Sequence, residues 1–271
     1  MTMLKRRPHL GRERARAQDL AELGALVLLA VLFITLAALA PIAQPQHYHR
    51  LADMRALAVG GFVLPNAADV LTSLPFSLVG GVGLLLCRGA SSVQRTALAT
   101  FFAGLVLTGA GSAWYHLAPT DASLMWDRLP MTVAFAGAVG AVAAERLGAA
   151  SGARWLAGWL LLGLGSVAVW RLAGDLRLYG LAQYGGFALL LLWTRLPVAN
   201  GARRLPWGVL LAAYAVAKGF EVFDRELWVL TDGLLAGHAV KHVVTALGVV
   251  PLLWALRTVG PGEAARPALR A

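Results

Sequence analysis

The sequence predicts an all-α membrane protein, a polytopic bundle of transmembrane helices, and three observations carry that prediction. Hydrophobic residues make up 58% of the 271-residue chain, charged residues only 14%, and the mean hydropathy is +0.66. Soluble domains carry roughly 45–50% apolar and about 25% charged residues, so this chain has too little charge to cover a water-facing surface. Apolar runs of about 20 residues recur along its length, each long enough to cross a hydrocarbon core of about 30 Å. Backbone groups in lipid must be satisfied within the chain, which leaves helices or closed barrels. Long Leu/Ala/Val/Gly runs without period-two alternation select helices.

The elements follow in order. Residues 1–21 form a basic segment containing Lys5-Arg6-Arg7, and the first span covers 22–42. That span reads as an uncleaved helix or as a secretory signal. The retained helix is expected, because its apolar stretch exceeds a signal's and Pro41 follows the best small-residue site, Ala38-Leu39-Ala40. Seven further spans lie at 66–87, 95–117, 128–147, 155–173, 178–196, 206–223 and 236–257, the seventh of the eight being interrupted by Lys218 and Glu221. Residues 259–271, rich in Pro, Ala and Arg, are expected to be disordered.

The net charge of +10 does not point to nucleic acid, because the basic residues sit between apolar runs and form no single patch. With the N-terminus inside, sixteen basic residues fall on the cytoplasmic side, and Arg50, Arg55, Arg128, Arg171, Arg177 and Arg225 on the other. That bias predicts cytoplasmic N- and C-termini, in a bacterial inner membrane. Cys87, the lone cysteine, lies in an apolar run and reads as a small buried hydrophobe. Nothing specifies an oligomeric state.

Ionisable groups at membrane depth are costly and each needs an explanation. Solvated or interfacial positions explain His9, His47 and His49. His238 and His242, spaced i, i+4, share one helical face where a single metal ion can bridge them. Lys241 falls off that face and is expected to snorkel to the interface. His116 closes the third span, with Ser112 one turn earlier on the same face. Asp127 opens the fourth span, either as a helix cap or as a site residue. The arginine-derived topology puts all five groups at one membrane face. Three neutral imidazoles with an open fourth position are a ligand set of a water-activating zinc, and a nearby carboxylate and hydroxyl supply base and hydrogen-bond donor. Lys218, Glu221, Asp224 and Arg225, near the same face, read as an internal charge network or as a headgroup contact. Gly80, Gly81, Gly83, Ala110 and Gly111 are expected to allow close helix packing, and Trp114, Tyr115 and Trp126 to form an aromatic belt.

Ser112-x-x-x-His116, Asp127 and His238-x-x-x-His242, in that order, resemble the signature of the CREST superfamily. Its members include the alkaline ceramidases and adiponectin-receptor-like proteins. The likeness is to the bacterial ceramidase-like branch and extends from about residue 45 to 257. Tyr48-His49-Arg50-Leu51-Ala52-Asp53, Pro65 to Phe76, Trp126 to Thr132 and Gly237 to His242 carry it. The resemblance implies a seven-helix catalytic unit over 43–258, preceded by one additional helix. It implies His116, His238 and His242 as zinc ligands, Asp127 as base and proton shuttle, and Ser112 as a residue steadying the zinc water or substrate carbonyl. The implied reaction is hydrolysis of the N-acyl amide of a ceramide-like membrane lipid to a fatty acid and a long-chain base, a step of sphingolipid metabolism.

Two departures stand out. The eukaryotic ceramidases' acidic calcium-binding segment has no counterpart in Ala43-Gln44-Pro45-Gln46-His47, which counts against Ca2+ dependence. The family's Ser-Asn pair is replaced by Thr72-Ser73, which puts the contacts of that Asn in question. Rival readings are a zinc-containing receptor or sensor without turnover, a proton or metal transporter, and a serine hydrolase using Ser112 and His116.

Overall fold

The computed structural model describes residues 7–257, with the side chains of 7–12 and 14 left out of the description. The expected disorder of 259–271, the outermost N-terminal basic residues and the side chain of His9 therefore lie outside the described residues. Among the described residues, ten α-helices account for nearly all regular structure: α1 (Arg7–Ala38), α2 (Ala67–Leu86), α3 (Arg95–Leu117), α4 (Asp121–Arg146), α5 (Ala149–Ala173), α6 (Arg177–Gly180), α7 (Gly186–Trp193), α8 (Trp207–Val222), α9 (Asp224–Leu230) and α10 (Gly237–Arg257). A π-helical turn, Leu181–Gly185, joins α6 to α7 in one continuous rod. Each of the eight predicted spans contains a helix, and the all-α membrane bundle is the fold observed. Five helices, α1, α2, α3, α5 and α10, are long and apolar enough to cross a membrane by length and composition.

The sequence reading missed two small elements before and after the site. One is a hairpin of β1 (Leu57–Val59) and β2 (Phe62–Leu64) turning on Gly60-Gly61, and the other is α9. The fourth helix also starts about two turns earlier than expected, at Asp121. Thr120 caps it in a reciprocal box with Ser123, so the reading of Asp127 as a helix cap is overturned. Asp127 sits in the second turn, free of capping duty.

Packing places the helices in a ring. α3 packs on α2 and α4, α4 on α5 and α7, α7 on α8, and α10 on both α8 and α2. Small residues let backbones meet. A Cβ on Gly104 would strike the Ala134 backbone, one on Gly137 the Phe101 backbone and one on Gly111 the Trp126 carbonyl. Without a solvent-driven hydrophobic force between helices in lipid, this close contact is what holds spans together. Gly80 and Gly83 pack as expected against α3, whereas Gly81 and Ala110 face outward. α1 lies outside the ring beside α6 and the π turn. Its Leu26, Val31 and Ile34 are exposed, as lipid-facing residues should be, and Arg177 donates to the helix's last carbonyls at Leu36 and Ala37 and to that of Leu39 just beyond it.

One end of the ring is locked by a buried polar cluster. Glu145 is fully buried and meets Arg146 at 2.7 Å, the Trp207 indole N–H at 2.8 Å and the Leu205 backbone N–H at 3.1 Å. Gln94 donates to the same carboxylate at 3.2 Å, so α3, α4 and the entry to α8 share one anchor. The buried histidines His116, His238 and His242 lie at the other end.

Candidate metal centre

His116 ends α3, while His238 and His242 occupy the first two turns of α10, and the ring of helices brings all three together. Their ring centroids are 4.9 Å (His116–His238), 5.1 Å (His116–His242) and 5.0 Å (His238–His242) apart. One ring nitrogen from each lies within 4.8 Å of the other two. All three are buried, His116 completely, and both His116 ring nitrogens lack any hydrogen-bond partner. A buried imidazole with two unsatisfied nitrogens is costly, and a shared metal ion resolves that cost. This group can hold a metal ion.

The histidines are aimed by their neighbours. Thr72 Oγ1 lies 3.1 Å from His242 Nδ1 and also 2.7 Å from the Ala68 carbonyl, which accepts its proton. The hydroxyl lone pair therefore receives Nδ1–H, and the lone pair of His242 is left on Nε2. Such outer contacts fix the tautomer and orientation of metal-ligating histidines. Asn66, buried and left-handed at φ 46°, donates to the His116 carbonyl at 2.8 Å. Asp224 accepts the His238 backbone N–H at 2.8 Å and that of Ala52 at 3.1 Å, fixing both the start of α10 and the segment above it.

Ser112 is buried one turn below His116, and its hydroxyl lies 3.1 Å from Ser73 Oγ and faces the Asp127 carboxyl. Thus Thr72 and Ser73 both make polar contacts at the site. Asp69, one turn before Ser73, is fully buried with both carboxylate oxygens unpaired.

Ser112, Asp127 and His242 line a cavity of about 400 Å³ inside the helix ring. Its wall away from the histidines is mostly apolar, with Phe101, Leu105, Val139, Leu190, Leu210 and Val249, and holds the hydrogen-bonded pair Gln183 and Tyr214. Near them it is polar, with Tyr48, Arg128, Lys218, Glu221 and Lys241. The segment 44–50 closes this end. Tyr48 packs edge-on to the His238 ring at 6.4 Å and donates its hydroxyl to Glu221 at 3.0 Å.

Four expectations change here. Lys241 does not snorkel outward, for its ammonium meets Glu221 at 2.8 Å in the cavity wall. Glu221 also pairs with Lys218, so the internal charge network exists, with Lys241 in the place expected for Arg225. His49 is no loosely solvated loop residue, because its ring bridges the Tyr115 hydroxyl and Asp121, each at 3.0 Å. Tyr115, being fully buried, belongs to this contact and not to an aromatic belt, whereas Trp114 and Trp126 are exposed as expected.

The chain matches no protein-family model, no curated protein and no solved structure.

Proposed function

We propose that this integral-membrane protein is a zinc-dependent amidohydrolase that cleaves the N-acyl amide of ceramide-like lipids to a fatty acid and a long-chain base. The observation that carries the reading is one juxtaposition. Three buried imidazoles, one of them with both nitrogens unpaired, stand with Asp127 and Ser112 at the polar end of a cavity of about 400 Å³ whose remainder is mostly apolar. That volume suits a lipid chain with its reactive amide at the polar end. Zinc fits three neutral histidines with a position left open, and when bound it supplies a Lewis acid that makes water nucleophilic near neutral pH.

The residues divide the remaining work. Asp127 takes a proton from the attacking water and returns one to the departing amine as the C–N bond breaks. Ser112, facing Asp127, donates a hydrogen bond to the acyl oxygen as negative charge gathers there. Tyr48 covers His238 and limits bulk water at the polar end. Thr72, Asn66 and Asp224 hold the ligands and touch nothing that reacts. A sensor with structural zinc has no use for a carboxylate and a hydroxyl lining a lipid-sized cavity, and the hydrolase is the better reading.

The arginine distribution supports cytoplasmic termini, with the site toward the outer face of a bacterial inner membrane. The test is fatty-acid release from a panel of N-acyl lipids by purified protein, before and after chelation and zinc restoration. Turnover that is lost with the metal and returns with zinc supports the proposal. Turnover that is indifferent to chelation, or none across the panel with zinc bound, refutes it.

A further inference from the structure

Arg128 follows Asp127 and lines the same cavity. It is 8% exposed, its guanidinium lies over the Trp170 ring at 4.3 Å and the Tyr179 ring at 4.8 Å, and its Nη2 donates to the neutral Gln44 amide at 2.6 Å. Nη1 is buried without a hydrogen-bond partner, and among the described residues no carboxylate is in ion-pair contact with this arginine, Asp127 acting on it only through space. A second group of cations lines the wall from α8 and α10. Lys218 and Lys241 share a single carboxylate, Glu221, which also accepts from Tyr48. Each ammonium has three donors and spends one on Glu221. The charged side chains lining the cavity are then three cations, Arg128, Lys218 and Lys241, against two carboxylates, Asp127 and Glu221. A metal on the histidines adds further positive charge.

A buried guanidinium with a free donor, in a wall of net positive charge, is expensive until an anion meets it. The hydroxyls of a neutral long-chain base leave that charge unmatched. We propose that the cavity selects N-acyl lipids whose amine half carries an acidic group, a carboxylate or a phosphate, seated between Arg128 and the Lys218–Lys241 pair. This deepens the hydrolase reading and rests on it for the position of the amide. The acyl chain fills the apolar wall toward Leu190 and Val249, and the acidic headgroup takes the polar end beside Tyr48.

The experiment compares three lipids of one acyl chain, N-acylglycine, N-acyl-O-phosphoethanolamine and neutral N-acylethanolamine, on the full chain in nanodiscs. Both kcat/KM for fatty-acid release and the equilibrium Kd are measured. At least one acidic lipid should exceed the neutral one about tenfold or more in both, as a charge-assisted hydrogen bond allows. Which acidic lipid leads assigns carboxylate or phosphate. Lys218→Gln and Arg128→Gln should each lower the acidic-to-neutral ratio about tenfold, and Lys218→Gln serves alone if the buried Arg128 proves essential for folding. Equal values for acidic and neutral lipids, or ratios unmoved by Lys218→Gln, overturn the inference. Preferential binding of the acidic lipid without turnover would leave it standing and remove the hydrolase reading, whereas turnover without preference would do the reverse.

Discussion

Thr72→Val tests how the ligand set is held without touching a ligand. The substitution keeps shape and removes one oxygen, the acceptor 3.1 Å from His242 Nδ1. Two things follow. The Nδ1–H is left without its partner in a buried wall, and the ring loses the contact that holds its orientation. Removing an outer-shell partner of a metal-ligating histidine typically weakens metal affinity 10–100-fold, or about 1.4–2.7 kcal/mol. Thr72→Ser keeps the oxygen and should stay near wild type. The assay is competition for zinc between detergent-purified protein and a chromophoric chelator. The expected order is wild type, then Thr72→Ser close to it, then Thr72→Val weaker by at least tenfold. Equal affinity of Thr72→Val and Thr72→Ser would show that the hydroxyl does not orient the ligand, and the tautomer assignment would fall with it.

Other outcomes can be read from stability and structure. Glu145→Ala leaves Arg146, Trp207 and the Leu205 amide facing an empty wall, and loss of one partner of a buried pair costs about 3–5 kcal/mol. Its apparent Tm in detergent should fall well below that of Glu145→Gln, which keeps an acceptor for Trp207. Gly111→Ala drives a methyl into the Trp126 carbonyl, parting α3 from α4 beside Ser112 and Asp127, so turnover should drop further than zinc content. Asp175, between α5 and α6, accepts from the Ile42 backbone and from Arg177, whose guanidinium holds its carboxyl down at about 2. A lowered native value means this anchor is complete above the ordinary carboxylate pKa near 3.9 and lost as pH falls through about 2. Limited proteolysis of the 39–44 segment should therefore rise between pH 4 and 2 in wild type, and Asp175→Asn should show the same cleavage already at pH 7.

Much of this was legible in the sequence because hydropathy and spacing are local. Eight apolar runs gave eight helical positions, and the i, i+4 pair His238/His242 shared a face by helical geometry alone. Placing His116 at their membrane face needed only the alternation of span directions, whereas its contact with them comes from the packing of the ring. The misses are tertiary or lie in weak local signals. Asp127, followed by Arg128 and Pro130, has the composition of a helix start, and it hid the true cap at Thr120, whose partner Ser123 is a less usual choice than Glu or Gln. Lys241 lies off the histidine face, and nothing periodic ties it to Glu221, 20 residues earlier. Thr72 is 170 residues from His242, so no window along the chain contains their contact. The hairpin carried a usable sign, Gly60-Gly61 between two short apolar runs, which the dominant helical pattern obscured. The π turn at Leu181–Gly185 has no such sign, since its residues suit an ordinary helix.

The central claim is that the three histidines hold the metal while Asp127 moves the proton. The most direct measurement is zinc content and fatty-acid release from an N-acyl lipid, taken on the same preparations of wild type, His238→Ala and Asp127→Asn. The account predicts about one zinc per chain in wild type and in Asp127→Asn, with the latter slower by at least about a hundredfold, and loss of both zinc and turnover in His238→Ala. Wild type without stoichiometric zinc, or Asp127→Asn as fast as wild type with its zinc in place, would contradict it.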